Sequence, residues 1–309
     1  MKKIITLVIG LMATTLVAQD TNYNISLGAY IPNQVEGIPD NAKAMLLNKL
    51  GQLITSNGIS DDVANSRFII TPNITVMSKD VIGSAPTKIA LNLEMTLYIG
   101  DGIAGNLFAT ESFTLKSVGN NETKAYMQAI KQLKPSNKKL QDFISNGKAK
   151  IIDYYNSNCK QLLAEAAVLE NQNNYEGALA ILVSVPSASD CFNTVKNKIE
   201  STYQKVIDTD CKLKLQEAEA IWVANQDIAA AKEAGYLLAS VDPQANCFKA
   251  VKNLFSKIEK RVNDLQDRDW DIKLQEFELR KATIEAARAV GVAYGNNQPN
   301  TVYNVRGWY

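Results

Sequence analysis

Residues 88–115 read KIALNLEMTLYIGDGIAGNLFATESFTL, and the fold turns on how this stretch is taken. Gly100-Asp101-Gly102-Ile103-Ala104-Gly105 matches the dinucleotide pattern GxGxxG letter for letter. That pattern holds a pyrophosphate where the turn opens a helix, whose N-terminus supplies free N–H groups. Here Ile89, Leu91, Leu93, Met95, Leu97 and Ile99 alternate strictly before the glycines, and Leu107, Ala109, Phe113 and Leu115 alternate after them. Period two on both sides argues strands, and Asp-Gly between two such runs marks a hairpin. The stretch is therefore read as a hairpin, with no nucleotide site.

Upstream, Phe68, Ile70, Ile74 and Val76 alternate in the same way, as do Tyr23, Ile25, Leu27 and Ala29. Between those runs Ala42, Leu46, Leu50 and Leu53 have helical spacing, and Asn57-Gly58 is a stop signal. The order strand, helix, three strands predicts a small, mostly antiparallel α/β domain over 20–134, closed by a helix with Ala125 and Ala129. Downstream the period becomes helical. Ser136 is placed to cap a helix carrying Leu140, Phe143, Ile144, Ile151 and Tyr155.

An internal repeat follows. Cys191-Phe192-Asn193-Thr194-Val195-Lys196-Asn197 matches Cys247-Phe248-Lys249-Ala250-Val251-Lys252-Asn253, and Cys159-Lys160 matches Cys211-Lys212. Ser184-Val185 and Ser240-Val241 each precede a proline, Pro186 and Pro243. Such a period signals stacked helical hairpins, each burying its apolar face on its neighbour. Asp208-Thr209-Asp210 leaves open whether the third helix of one unit runs on into the first helix of the next. In each unit one cysteine opens the first helix and the other opens the third. A helix of about 13 residues rises about 20 Å and its partner returns the same distance, which brings the two cysteines to one level. The expected pairs are Cys159 with Cys191 and Cys211 with Cys247, worth about 3 to 4 kcal/mol each on the entropic model. A metal site or redox pair is the alternative, but both lack CxxC spacing.

The run Asn173-x-Tyr175-x-x-Ala178-x-x-x-Leu182, closed by Pro186, resembles the second half of a tetratricopeptide-type repeat, and Ala231 and Pro243 hold similar positions in the second copy. The resemblance covers about 159–268 and implies helical hairpins that make protein contacts. Residues 23–134, through their single helix, Phe68-Ile69-Ile70-Thr71-Pro72, the Asp101-Gly102 hairpin and the helix with Ala125 and Ala129, are similar to the small α/β domain of bacterial envelope factors. Those include curli-secretion channel proteins and penicillin-binding-protein activators. The expected class is α+β: signal peptide 1–19, α/β domain 20–134, helical repeat domain 135–268, and a C-terminal helix extension and tail over 269–309.

Composition narrows the function. The 309 residues include 33 basic and 32 acidic side chains, so no basic excess exists to grip nucleic acid. Histidine is absent, which removes Ser-His-Asp and Cys-His nucleophile systems and HExxH metal sites. Glu94, Glu111 and Glu122 lie in or beside the strands, where nothing singles out a catalytic pair. Lys2 and Lys3 precede an uncharged run from Ile4 to Ala18, too short to span a bilayer and suited to a cleaved bacterial export signal. The location expected is periplasmic or extracellular, with outer-membrane association only through a partner. Asp267, Asp269, Asp271 and Glu278 mimic calcium-loop spacing, but Ile272 replaces the required glycine, so a solvated helix face is preferred.

A long amphipathic helix is expected from about 246 to 290, extended by Trp270, Leu274, Phe277, Ile284 and Ala287. The tail then ends in aromatic residues. Tyr303, Arg306, Trp308 and Tyr309 are a candidate partner-docking peptide, the alternative being a segment tucked onto its own domain. No catalytic residue, cofactor or metal ligand is assigned. The expected function is a non-enzymatic exported scaffold or adaptor in a cell-envelope assembly, acting through a protein partner or a second copy. The alternatives are a ligand-binding module for peptidoglycan, a glycan or a small molecule, and a homo-oligomeric structural subunit.

Overall fold

Alternating apolar faces bring the predicted strands into one mixed sheet in the computed structural model. It describes residues 25–32, 37–57, 66–83, 85–266, 272–274, 290–291, 303, 305, 307 and 308. The signal peptide and the calcium-like acidic positions 267, 269, 271 and 278 lie outside these residues. Strand β1 (Leu27–Ala29) is followed by α1 (Asp40–Ser56), β2 (Phe68–Ile82), β3 (Lys88–Asp101) and β4 (Leu107–Gly119). The sheet order is β1-β2-β3-β4, parallel only at the β1–β2 pair and antiparallel elsewhere, giving an α+β fold. Residues 88–115 are the expected hairpin, with Leu93 opposite Leu115 and Met95 opposite Phe113.

One face of the sheet carries the main core. Leu93, Met95, Leu97 and Ile99 are buried beneath α1 and α2 (Glu122–Ile130), which contribute Leu46, Leu50, Ala125 and Ala129. Helix α3 (Lys138–Ser157) completes this cover with Leu140, Phe143, Ile144 and Ile151. It crosses β3 so closely that a Cβ on Gly147 would stand 2.7 Å from Ile99 Cδ1. The expected boundary at 134/135 thus falls inside the helical cover of the sheet, because α3 buries its apolar stripe on β3 and β4. Its N-cap is Asn137, whose side chain accepts from Lys139 N, rather than the expected Ser136.

The helical array begins at α4 (Cys159–Asn171), turns through Asn173 with a positive φ of 57°, and returns as α5 (Tyr175–Val183). A single helix, α6 (Cys191–Ala224), then runs through Asp208-Thr209-Asp210 without a break, which settles the inter-repeat question. Helices α7 (Ile228–Ala239) and α8 (Phe248–Gln266) complete the second hairpin. Beyond α8 the expected single helix to residue 290 does not hold, since Ile272–Leu274 are not helical and Ile272 is buried on the core. Trp270, Phe277, Ile284 and Ala287, offered as its continuation, lie outside the described residues.

Candidate functional site

The Gly100–Gly105 turn is held from both faces of the sheet. Its organiser is Asp101, which is buried at 1% exposure. Asp101 Oδ1 accepts from Ile103 N and Ala104 N at 2.9 and 2.8 Å, which fixes the turn locally. Asp101 Oδ2 accepts from Arg67 Nε at 2.6 Å, ahead of β2, and from Tyr155 Oη on α3 at 3.4 Å. Gly105, with φ of 79°, occupies left-handed space that disfavours a side chain and lets its N–H reach Asp101 O. Burial pulls the Arg67 guanidinium down, but Asp101 outweighs it and holds its pKa above the ordinary value. Burial pushes the Tyr155 phenol up to about 12. Around Tyr155, Phe68, Phe108 and Tyr154 pack edge to face.

On the opposite face lies a second, separate apolar cluster of Ile69, Tyr98, Val305 and Trp308, flanked by Tyr30 and Tyr303. Tyr303, Val305 and Trp308 are therefore packed onto the chain's own sheet. Trp308 Nε1 donates to Gly105 O at 2.8 Å, and Tyr303 Oη donates to Ser66 O at 3.2 Å. Tyr303 meets Tyr30 edge to face at 4.7 Å. The glycines of the GxGxxG pattern now have a physical reason. A Cβ on Gly100 would come within 2.4 Å of the Trp308 ring, and one on Gly102 within 2.3 Å of the Tyr303 ring. Tyr303 and Trp308 thus sit as the alternative reading of a segment tucked onto its own domain has them, with Trp308 only 6% exposed because its indole fills this cradle. Arg306 and Tyr309 lie outside the described residues.

The four cysteines pair as expected, Cys159 with Cys191 and Cys211 with Cys247, at Cα separations of 5.5 and 6.2 Å. Each pair is accompanied by a polar clamp that the sequence reading missed. Asn156 Oδ1, three residues before Cys159, accepts from Asp190 N at 2.9 Å and Ser189 Oγ at 2.7 Å. Asp208 Oδ1, three residues before Cys211, accepts from Asn246 N at 2.7 Å. The signal was their shared offset from the repeat's first cysteine. A further cluster stands at the end of α4, where buried Glu170 accepts from Lys198 Nζ at 2.6 Å, Lys205 Nζ at 3.1 Å and Thr202 Oγ1. Burial raises the Glu170 pKa, but the bonds from Lys198, Thr202 and Lys205 outweigh it and leave the carboxyl below its usual range.

Chemically, these groups are committed to structure. Asp101 and Glu170 are each saturated by donors of their own chain, and both cysteine pairs are disulfides. Among the described residues, no group of three or more acidic, cysteine or histidine side chains is placed to hold a metal ion. No helix among them is long and apolar enough to cross a membrane. What remains on the surface is an edge. β1 pairs with β2 only over Phe68–Ile70, so among the described residues β2 has no neighbouring strand on that side from Asn73 to Ile82. Val76, Met77, Val81 and Ile82 are exposed there, Val81 at 69%.

The protein so defined is a mixed four-stranded sheet joined to a disulfide-stapled helical array, and two disulfides fit an exported chain. No family model matches the chain, and no curated protein does. A crystallised minor lipoprotein from Acinetobacter baumannii is similar at 16% identity and a TM-score of 0.28, over 39% of this chain and 94% of its own. Likeness at that level carries neither fold nor function.

Proposed function

We propose that this protein is a non-enzymatic, exported scaffold or adaptor of a bacterial cell-envelope assembly, working through protein contacts. The observation that carries the reading is the open edge of β2. Exposed strand edges are templates for another chain, and folded proteins usually blunt them with lysine, proline or a bulge. Here β2 carries one bulge, between Val76 and Ser78, and Lys79 is drawn onto Glu122 of α2 at 2.6 Å, yet Val76, Met77, Val81 and Ile82 stay exposed on either side of them. The helical array supports the same reading as a tetratricopeptide-like contact surface, with Leu213, Val223 and Tyr236 exposed on it. The disulfides and the N-terminal export pattern support the compartment.

The test is a photo-crosslinking amino acid at Val81 in the native host, with one at Lys150 on α3 as the control. A stoichiometric protein adduct from Val81, absent from Lys150 and lost when Asp80 and Ile82 are replaced by proline and lysine, supports the reading. Recovery of the protein on wall polymer with no protein adduct overturns it in favour of glycan binding.

A further inference from the structure

We infer that the sheet face over Gly100–Gly105 is a peptide-recognition site for a Tyr-x-Val-x-x-Trp segment, filled in cis by this chain's own C-terminus and able to take the same segment from a second copy. The inference is independent of the scaffold reading, since it uses neither the β2 edge nor a foreign partner. Its first support is that the contact has the make-up of a binding site. Two aromatic anchors seat over glycines whose missing Cβ atoms leave their space, and each anchor donates one hydrogen bond to a backbone carbonyl. Between them Val305 is buried against Ile69 and Tyr98.

The second support is separability. The tail cluster shares no buried residue with the main core, which lies on the opposite face of the sheet. Losing the tail therefore leaves Leu93, Met95, Leu97 and Ile99 and their helical cover intact. Asp101, Arg67 and Tyr155 keep the turn in shape from the other side, so the empty cradle persists. The partners are also remote in sequence, 203 positions for Trp308 and Gly105 and 237 for Tyr303 and Ser66. A tethered ligand acts at an effective concentration on the order of millimolar, so the cis tail excludes a trans competitor at micromolar levels. Removing the cis anchors should unmask the site.

The experiment uses the full chain and a fluorescent peptide of residues 301–309, TVYNVRGWY. The expected result is saturable binding to a Tyr303→Ala/Trp308→Ala chain and none to the wild type. Adding Gly102→Ala should weaken binding at least about ten-fold, as loss of an aromatic anchor does. Alanine suits that position, because Gly102 lies outside the left-handed region and its Cβ would meet the Tyr303 ring first, at 2.3 Å, and Ile69 Cδ1 next at 3.1 Å. A peptide with Trp308→Ala should not bind. Should the double variant lose its near-ultraviolet circular dichroism, the titration is made on Trp308→Ala alone. A second readout is digestion by carboxypeptidase, which should release Trp308 from Gly102→Ala at least about ten-fold faster than from wild type. Absence of binding to the folded anchor variants overturns the inference, as does binding that Gly102→Ala leaves unchanged or equal digestion of the two chains.

Discussion

Asp101 shows how one residue can look like chemistry and act as architecture. Its carboxylate closes the turn through two backbone N–H groups and joins Arg67 and Tyr155 to it. Asp101→Ala leaves Arg67 without its charge partner and the turn without its brace. The expected cost is about 3 to 5 kcal/mol in urea unfolding, and a loss under 1 kcal/mol would show that the network is dispensable. Glu170 makes the pH prediction. Its folded pKa lies below the ordinary value, so its contribution is present above the unfolded carboxylate range and is lost as pH falls through the folded value. Glu170→Gln should therefore flatten the acid limb of the stability profile, measured by denaturant midpoints from pH 7 down to pH 3. Tyr155 works at the other end: with its phenol near 12, its contribution is present below pH 10 and lost as pH rises towards 12. Spectrophotometric titration of Tyr155→Phe should lack one late-ionising phenol. None of these pairings can be read along the chain, because 34 positions separate Arg67 from Asp101 and only the folded sheet brings them together.

Among the elements, those with strong periodicity were legible in advance. The strands of 88–115 follow from alternation, α1 from its apolar stripe, and the disulfide pairs from the matching places of the cysteines in the out-and-back repeat, although α4 has 13 residues and α5 only 9. Elements whose limits depend on tertiary contacts were not. The continuity of α6 through Asp208-Thr209-Asp210 depends on Asp208 finding acceptor work across space, with Asn246 N and Asn246 Nδ2 donating to it, so that no break is needed to satisfy it. Helical amphipathicity beyond Gln266 predicted a continuous helix, yet Ile272 turns into the core instead. The clamps give an element-level prediction. Asp208→Ala removes acceptors from Asn246 at the mouth of the second disulfide loop, and should lower stability by about 1 to 2 kcal/mol. Asn156→Ala should do the same in the first unit, where Asp190 N and Ser189 Oγ lose their acceptor. Equal effects in thermal denaturation would show that both repeats carry the same device, whereas a silent Asn156→Ala would make the first clamp incidental.

For the whole molecule, what alternation and repeat spacing could not show is how the two halves are joined. The apolar core is contiguous from Ile25, just ahead of β1, to Ile272 beyond the array, and α3 belongs to both through Phe143 and Ile151 on one side and its succession into α4 on the other. A shared core predicts cooperative unfolding across the join. Both disulfides lie in the array, closing loops of 32 and 36 positions, while the sheet has none. Reduction should therefore remove about 3 to 4 kcal/mol per bridge from the array. If the core acts as one unit, that loss is transmitted to strands the bridges never touch. The measurement is amide hydrogen exchange at Leu97–Asp101, the most buried run of β3, with and without reductant in mild urea. Faster exchange there in the reduced protein, in step with α6 and α7, is the expected outcome. Protected β3 amides above an exchanging array would instead divide the chain into two folding units at Asn158, with α3 a cover for the sheet alone.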